Sequence, residues 1–284
     1  MLGGASKPKQ AAHLWIPDVS TLCPPMSEVE TIERADELYT RLIRGKKPVP
    51  EDKSPHMVLT IGTAGAGKST LARKMVEYKS GIPLSAYIEL DFDALIDDTP
   101  LGADLRNMKD MNGVKTGIGA AHGWVNCIDS ASGYGDMVFN RLMAERYNII
   151  VHTHDHRSLI MAQVHGYVCT LMYVAISVET AIKRAGKRAE ELGRYIPGGT
   201  AKDGWGWQPS VVAFWNRYRY QAPFFAMWAD SFVVVSNERD NYEPKNDDFA
   251  AYVTHPPLEP DDEWNLVANG LFYAIAEAHG EVKK

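Results

Sequence analysis

Apolar positions change period several times between residues 27 and 97, and each change marks an expected element. In "SEVETIERADELYTRLIRG" Ile32, Ala35, Leu38, Tyr39 and Leu42 recur at helical spacing, with Ser27 placed as an N-cap and Gly45 closing the run. The polar connector "GKKPVPEDKSP" separates this helix from "HMVLTIG", a short continuous apolar run that reads as a strand buried on both faces. "STLARKMVEYKSG" returns to helical period and stops at Gly81, and "SAYIELDFD" reads as a second strand ending in carboxylates. Further on, a helix over 136–146 feeds the strand "NIIVHT". "YVCTLMYVAIS" is a third such run ahead of the helix "VETAIKRAGKRAEELG", "WNRYRYQAPFFAMW" reads as a buried aromatic helix, and "SFVVVSN" reads as the last core strand. Strands alternating with helices imply parallel βαβ units, with helices on both faces of the sheet.

Three segments follow from the same pattern. Residues 1–26, rich in Gly, Pro and Ala, read as a flexible arm, and 27–240 form the expected α/β domain. Residues 241–284 are an extension whose acidic, Pro-rich "NYEPKNDDFAAYVTHPPLEPDDE" leads to an apolar helix that packs on the core. With 45% hydrophobic and 23% charged residues, the 284-residue chain has an ordinary globular composition. A net charge of −6 weighs against a long nucleic-acid partner, since phosphate contacts dominate such affinity. Cys23, Cys127 and Cys169 are far apart, which suggests a reducing compartment. The N-terminal residues lack an apolar core of signal-peptide length and no window approaches a membrane span, so a cytoplasmic protein is expected.

One motif changes the picture. "GTAGAGKS", Gly62 to Ser69, matches GxxxxGK[ST] in full, after a strand and before a helix. There the backbone of Gly62, Ala64, Gly65, Ala66 and Gly67, continuing to Thr70, curls its N–H groups round a phosphate at a helix N-terminus. Lys68 reaches the β- and γ-phosphates, and the Ser69 hydroxyl ligates Mg²⁺. The expected fold is therefore α/β of the P-loop NTPase or kinase type: a doubly wound parallel sheet with helices on both faces and a helical lid. The motif alone does not separate a kinase from a GTPase or an ATP-driven machine, although no guanine-binding motif is apparent. In "ELDFD", Asp91 and Asp93 stand at the carboxyl end of a strand, where ligands bind in open α/β sheets. A carboxylate there accepts the proton of an attacking hydroxyl; the alternative for Asp93 is a helix N-cap ahead of "ALIDD".

From this point the order of pieces resembles the zeta-toxin family of P-loop kinases. The residues that carry the likeness are "LIRGKKPV", "GTAGAGKSTL", "ELDFDALIDDTP", "NRLMAERYNIIVHTHDHR", "RAGKRAEELGRYIPGG" and "NRYRYQAPFFAMWADSFVVVSN", spanning about residues 28 to 237. The resemblance implies ATP- and Mg²⁺-dependent phosphorylation of a hydroxyl on UDP-N-acetylglucosamine, toxicity through cell-wall precursor metabolism, and an antitoxin that blocks the nucleotide site. By the same likeness Lys68 and Ser69 match the phosphate-binding pair, Asp93 the general base and Asp136 an acidic residue near the sugar. Arg184 and Arg188 fall on the arginine-bearing lid helix, and Arg194 is a third candidate. The bland alternative for that helix is a solvated face.

The chain departs from the family at "VHTHDHR", where a glutamate, a small polar residue and an arginine are usual at alternate positions. Gapless alignment puts His152, His154 and His156 there, and a one-residue slip puts Thr153, Asp155 and Arg157. Three readings stay open: an acceptor-binding wall of His152 and His154 with Arg157 kept for phosphate, a zinc site, or a plain strand end. In "GGTAKDGWGWQP" two tryptophans in a flexible run either stack on a base or sugar or pin the loop. Competing functions are a P-loop kinase acting on a nucleic-acid, modified-nucleotide or NAD hydroxyl, and a nucleotide-gated binding protein without turnover.

Overall fold

The computed structural model describes residues 26–97, 133–152, 157–192, 207–239, 244–253, 271 and 273–280. Helix α1 (Glu28–Ile43) opens on the expected cap: Ser27 Oγ accepts from Glu30 N, and the Glu30 carboxylate accepts from Ser27 N at 2.8 Å. Strand β1 (His56–Ile61) runs into the glycine-rich loop and helix α2 (Lys68–Met75), which widens into a π turn over Val76–Ser80. Strand β2 (Tyr87–Asp91) passes directly into helix α3 (Phe92–Asp97), so Asp93 is a helical residue and the strand ends at Asp91. Helix α4 (residues 133–144) precedes β3 (Asn148–His152), and α5 (Arg157–Val164) precedes β4 (Val168–Ala175). Helices α6 (Val178–Leu192) and α7 (Trp207–Ala226) then lead to β5 (Ser231–Ser236), β6 (Ala250–Val253) and a last helix, α8, at residues 273–278.

The sheet order is β2-β3-β1-β4-β5-β6, with β1 to β5 parallel and β6 antiparallel at the edge. Every residue of β1 is buried, as expected of a central parallel strand covered on both faces. Leu59, Leu90, Val151, Leu171 and Phe232 form one face with α1, α4, α5, the later part of α7 and α8. Val58, Ile150, Met172, Val174 and Val233 form the other with α2 and α6. The doubly wound α/β arrangement anticipated from the sequence is the one observed. Its switch point falls at β1, flanked by β3 and β4, so the crevice for ligands opens where the glycine-rich loop leaves that strand.

Two segments differ from expectation. The acidic stretch after β5 contains a strand, β6, whose Ala251 and Tyr252 register with Val233 and Phe232, and Phe249 just before it is buried. An edge strand needs only one hydrogen-bonded neighbour, and four residues are too few to show a period. The run "GGTAKDGWGWQP" is not loop to its end, because α7 begins at Trp207. Pro209 is tolerated in that first turn, where backbone N–H groups have no intrahelical acceptor.

Candidate phosphoryl-transfer site

The loop from Gly62 to Ser69 hangs between β1 and α2 and is walled by two other elements. At Gly65 (φ +78°) a Cβ would lie 2.9 Å from the Ala181 carbonyl oxygen and 3.1 Å from Ala185 N, so the loop rests on the backbone of α6. At Gly67 (φ +82°), the residue before α2, a Cβ would lie 2.6 Å from Asn237 Nδ2. Gly65 needs glycine twice over, for the left-handed backbone and for the close approach of another backbone; Gly67 needs it for the left-handed backbone, and a Cβ there would displace the Asn237 amide. Ala66 is buried between them, Ala64, Lys68 and Ser69 are partly exposed, and Thr70 is exposed. Lys68 Nζ donates to the carbonyl oxygens of Gly62 (3.0 Å) and Thr63 (3.2 Å), which places an ammonium over the mouth of the loop. With α2 presenting its N-terminus there too, the region is electropositive and suited to a phosphate chain.

Helix α6 is clamped to this loop from the end of β5. Arg184 Nη1 donates to the carbonyl oxygen of Asn237 (2.7 Å), and Asn237 Nδ2 donates to the carbonyl oxygen of Ala66 (2.7 Å). The next residue, Glu238, accepts from Ser177 N (2.7 Å) and Ser177 Oγ (2.6 Å) and also from the Thr180 hydroxyl, while Ser177 Oγ accepts from Thr180 N (3.2 Å). Burial pushes the Glu238 carboxyl up, and these hydrogen bonds outweigh it and hold the group below the usual range. Arg188, four residues beyond Arg184, is on the same side of α6 and half-buried. Arg184 is thereby placed beside the loop that carries Lys68. Asn237 and Glu238 were missed, although their place after a strand at the ligand edge was the available signal.

On the other side of β1, Asp91 ends β2 in register with His152 of β3, which is in register with Thr60 of β1. Helix α3 carries Asp93 as its second residue and packs against α4 so closely that a Cβ on Gly135 would lie 2.6 Å from Leu95 Cδ1 and 2.9 Å from Phe92 Cε1. Tyr134 donates its hydroxyl proton to the Leu95 carbonyl oxygen (2.9 Å). Asp136, two residues beyond Tyr134 on the same helix, is exposed. Arg157 is the first residue of α5 and is exposed.

His152 is not on an open wall. Its side chain is buried, its Nε2 is 2.9 Å from Glu89 Oε1 and its Nδ1 is 2.7 Å from Thr60 Oγ1. Because the carboxylate can only accept, Nε2–H donates to Glu89 and Nδ1 accepts the Thr60 hydroxyl. Glu89 Oε2 also accepts from Arg73 Nε of α2 (2.7 Å). Both ring nitrogens are engaged across three strands, so in this structure His152 is a cross-strand tie. The reason is the two-residue period of the strand, which turns position 152 to the same face as Ile150, toward Glu89 of the neighbouring strand. His154, His156, Thr153, Asp155, Arg194 and Trp205 lie outside the described residues. Among the described residues no helix is long and apolar enough to cross a membrane.

The donor set fits a nucleotide triphosphate: a loop that admits no Cβ at two glycines, an ammonium at its mouth and an arginine fastened beside it. Ser69, in the first turn of α2, would supply the hydroxyl for Mg²⁺, which would offset phosphate charge. Among solved structures, the fold is similar to that of the PezAT chromosomal toxin-antitoxin system of Streptococcus pneumoniae, at 17% identity over 89% of this chain and 98% of that one, with a TM-score of 0.54. Shikimate kinase from Acinetobacter baumannii matches at 14% identity over 79% of this chain and 95% of that one, with a TM-score of 0.36, too low to bear on the argument. No curated protein matches the chain in sequence. The family model for the zeta toxins matches residues 40–203, more than half of the chain and including the phosphate loop, Asp93, Asp136, Arg184 and Arg188, and the chain belongs to the zeta toxin family.

Proposed function

We propose that this protein is an ATP-dependent kinase that transfers the γ-phosphoryl group to a hydroxyl of a nucleotide sugar of the UDP-N-acetylglucosamine type, acting in the cytoplasm as a toxin held in check by an antitoxin. The observation that carries the reading is the seating of α6 on the phosphate loop. With no room for a Cβ at Gly65, Arg184 stands beside the loop that holds Lys68, an arrangement a bare Gly-rich turn would not need. Lys68 and the loop N–H groups hold the phosphates, and Arg184 with Arg188 offsets the charge that spreads over the transferred group. Asp93 takes the proton of the acceptor hydroxyl as its oxygen bonds to phosphorus and the bond to the β-phosphate oxygen breaks. Asp91, Asp136, Arg157 and His154 bind the acceptor in this reading, while His152 ties the strand ends together.

The deciding experiment incubates the protein with γ-labelled ATP and a panel of nucleotide sugars, NAD and oligonucleotides. Label on a sugar hydroxyl of UDP-N-acetylglucosamine is the expected result. Label on NAD or an oligonucleotide alone would move the acceptor to another class, and label on none would overturn the kinase reading. Within the same assay Asp93→Asn should slow transfer by about 100-fold or more, the range of a lost general base, with ATP binding retained. If Asp91→Asn does this and Asp93→Asn does not, the base is the strand-end carboxylate.

A further inference from the structure

The phosphate loop is held from outside by a residue that is not part of its motif. Asn237 follows β5, its own N–H donates to the Ala175 carbonyl oxygen (2.9 Å), and that bond extends the β4–β5 pairing and fixes where the residue stands. From there its side-chain amide donates to the Ala66 carbonyl oxygen (2.7 Å), and the same nitrogen occupies the direction a Cβ on Gly67 would take, 2.6 Å away. Its backbone carbonyl accepts from Arg184 Nη1 (2.7 Å). One residue therefore touches the loop through its side chain and the lid-helix arginine through its main chain.

We propose that Asn237 is a positioning residue that sets the Ala66–Gly67 peptide for phosphate binding and aligns Arg184 with it. In a trans peptide the carbonyl and the following N–H point in opposite directions. Holding the Ala66 oxygen toward β5 turns the Gly67 N–H away from β5 and into the concave side of the loop. Without that hold the peptide is free to rotate and present its oxygen, whose partial negative charge repels phosphate. Gly67 makes such rotation easy, since a residue without Cβ crosses between backbone regions at little steric cost. The need for glycine at position 67 and the presence of asparagine at 237 are thus two halves of one device: the small residue makes room for the amide that then restrains it. Because the Asn237 carbonyl also receives Arg184, the loop and the arginine keep a common reference at the end of β5.

The inference rests on the kinase reading, and its test separates the two. Asn237→Ala removes the amide, and Asn237→Leu keeps a side chain branched at Cγ without a donor. Calorimetric titration with ATP and with inorganic tripolyphosphate should show both variants binding about fivefold to tenfold more weakly, as for loss of one hydrogen bond that orients a charged contact. AMP, read alongside, should bind as it does to the parent. Hydrogen exchange on the ligand-free protein should show the amides of Ala66 and Leu71, bonded to the Thr63 and Gly67 carbonyls, losing protection in both variants while β1 and β4 keep theirs, a pattern that general loosening would not produce. If Asn237→Ala fails to fold, Asn237→Leu decides. Variants that bind tripolyphosphate as tightly as the parent, with unchanged exchange at Ala66 and Leu71, would overturn the inference and leave the kinase reading standing. A parent chain that binds neither ATP nor tripolyphosphate would overturn both.

Discussion

Lys68 and His152 illustrate how differently two polar residues at the same sheet edge are used. The Lys68 ammonium now rests on the carbonyls of Gly62 and Thr63, at hydrogen-bond length and partly exposed, so it can turn to a phosphate without breaking the core. Lys68→Ala should abolish measurable phosphoryl transfer, because the γ-phosphate loses its point-charge partner. Activity retained within about tenfold of the parent would contradict the assigned role of the loop. His152 instead bridges Thr60 and Glu89 inside the sheet. His152→Ala removes one hydrogen bond from Thr60 and one from Glu89, which keeps Arg73, and should cost about 1–3 kcal/mol of folding stability, read from urea midpoints.

The carboxylate in that bridge adds a pH dependence. Burial pushes the Glu89 carboxyl up, but hydrogen bonds from His152 and Arg73 prevail and hold it below the usual range. The folded state therefore takes up this proton less readily than the unfolded one. The contribution is fully present above the ordinary glutamate pKa of about 4.3 and is lost as pH falls through the lowered folded value. Glu30, Glu145 and Glu238 are depressed too, so the parent should lose stability in acid through several groups. Glu89→Gln should flatten that decline by its share, and an unchanged slope would show that Glu89 is not coupled to folding.

At the scale of elements, the orientation of α6 depends on two contacts at its base. The Gly65 contact brings the helix backbone against the loop, and Glu238 collects Ser177 N, Ser177 Oγ and the Thr180 hydroxyl at the helix N-terminus. A carboxylate at that end satisfies donors that have no intrahelical acceptor and complements the helix dipole. Glu238→Ala should therefore lower stability by about 1 kcal/mol, the usual worth of a cap, and reduce kcat more than it raises the KM for ATP, because Arg184 loses alignment during transfer. A change in KM alone would assign Glu238 to nucleotide binding.

For the whole molecule, the segment beyond β5 is part of the core. Phe249 is almost completely buried, β6 pairs with β5, and Leu271, Ala274 and Ile275 join the cluster that lines one face of the sheet. Fully burying an aromatic or branched side chain contributes about 1.5–3 kcal/mol relative to leaving it exposed, and several are involved here. Ending the chain after residue 240 should therefore give a protein without a cooperative thermal transition. A truncated chain that melts like the parent would show that residues 27–240 fold alone.

The sequence by itself determined the elements whose information is local. Continuous apolar runs marked β1 and β3 to β5, Ser27 as a cap marked the start of α1, and the spacing Gly62–Ser69 marked the phosphate loop, because caps, periods and tight turns are properties of neighbours along the chain. The family resemblance was legible for the same reason, since its pieces are contiguous strings. Strand order and the role of residues far apart in sequence were decided only in three dimensions. Nothing near position 152 indicates that its imidazole lies between Thr60 and Glu89, and nothing near Asn237 indicates that it faces Ala66, 171 positions earlier. Such pairings arise when the parallel crossovers bring carboxyl ends of distant strands to one edge, and a side chain's partner is then set by register and by which face of the pleat it occupies.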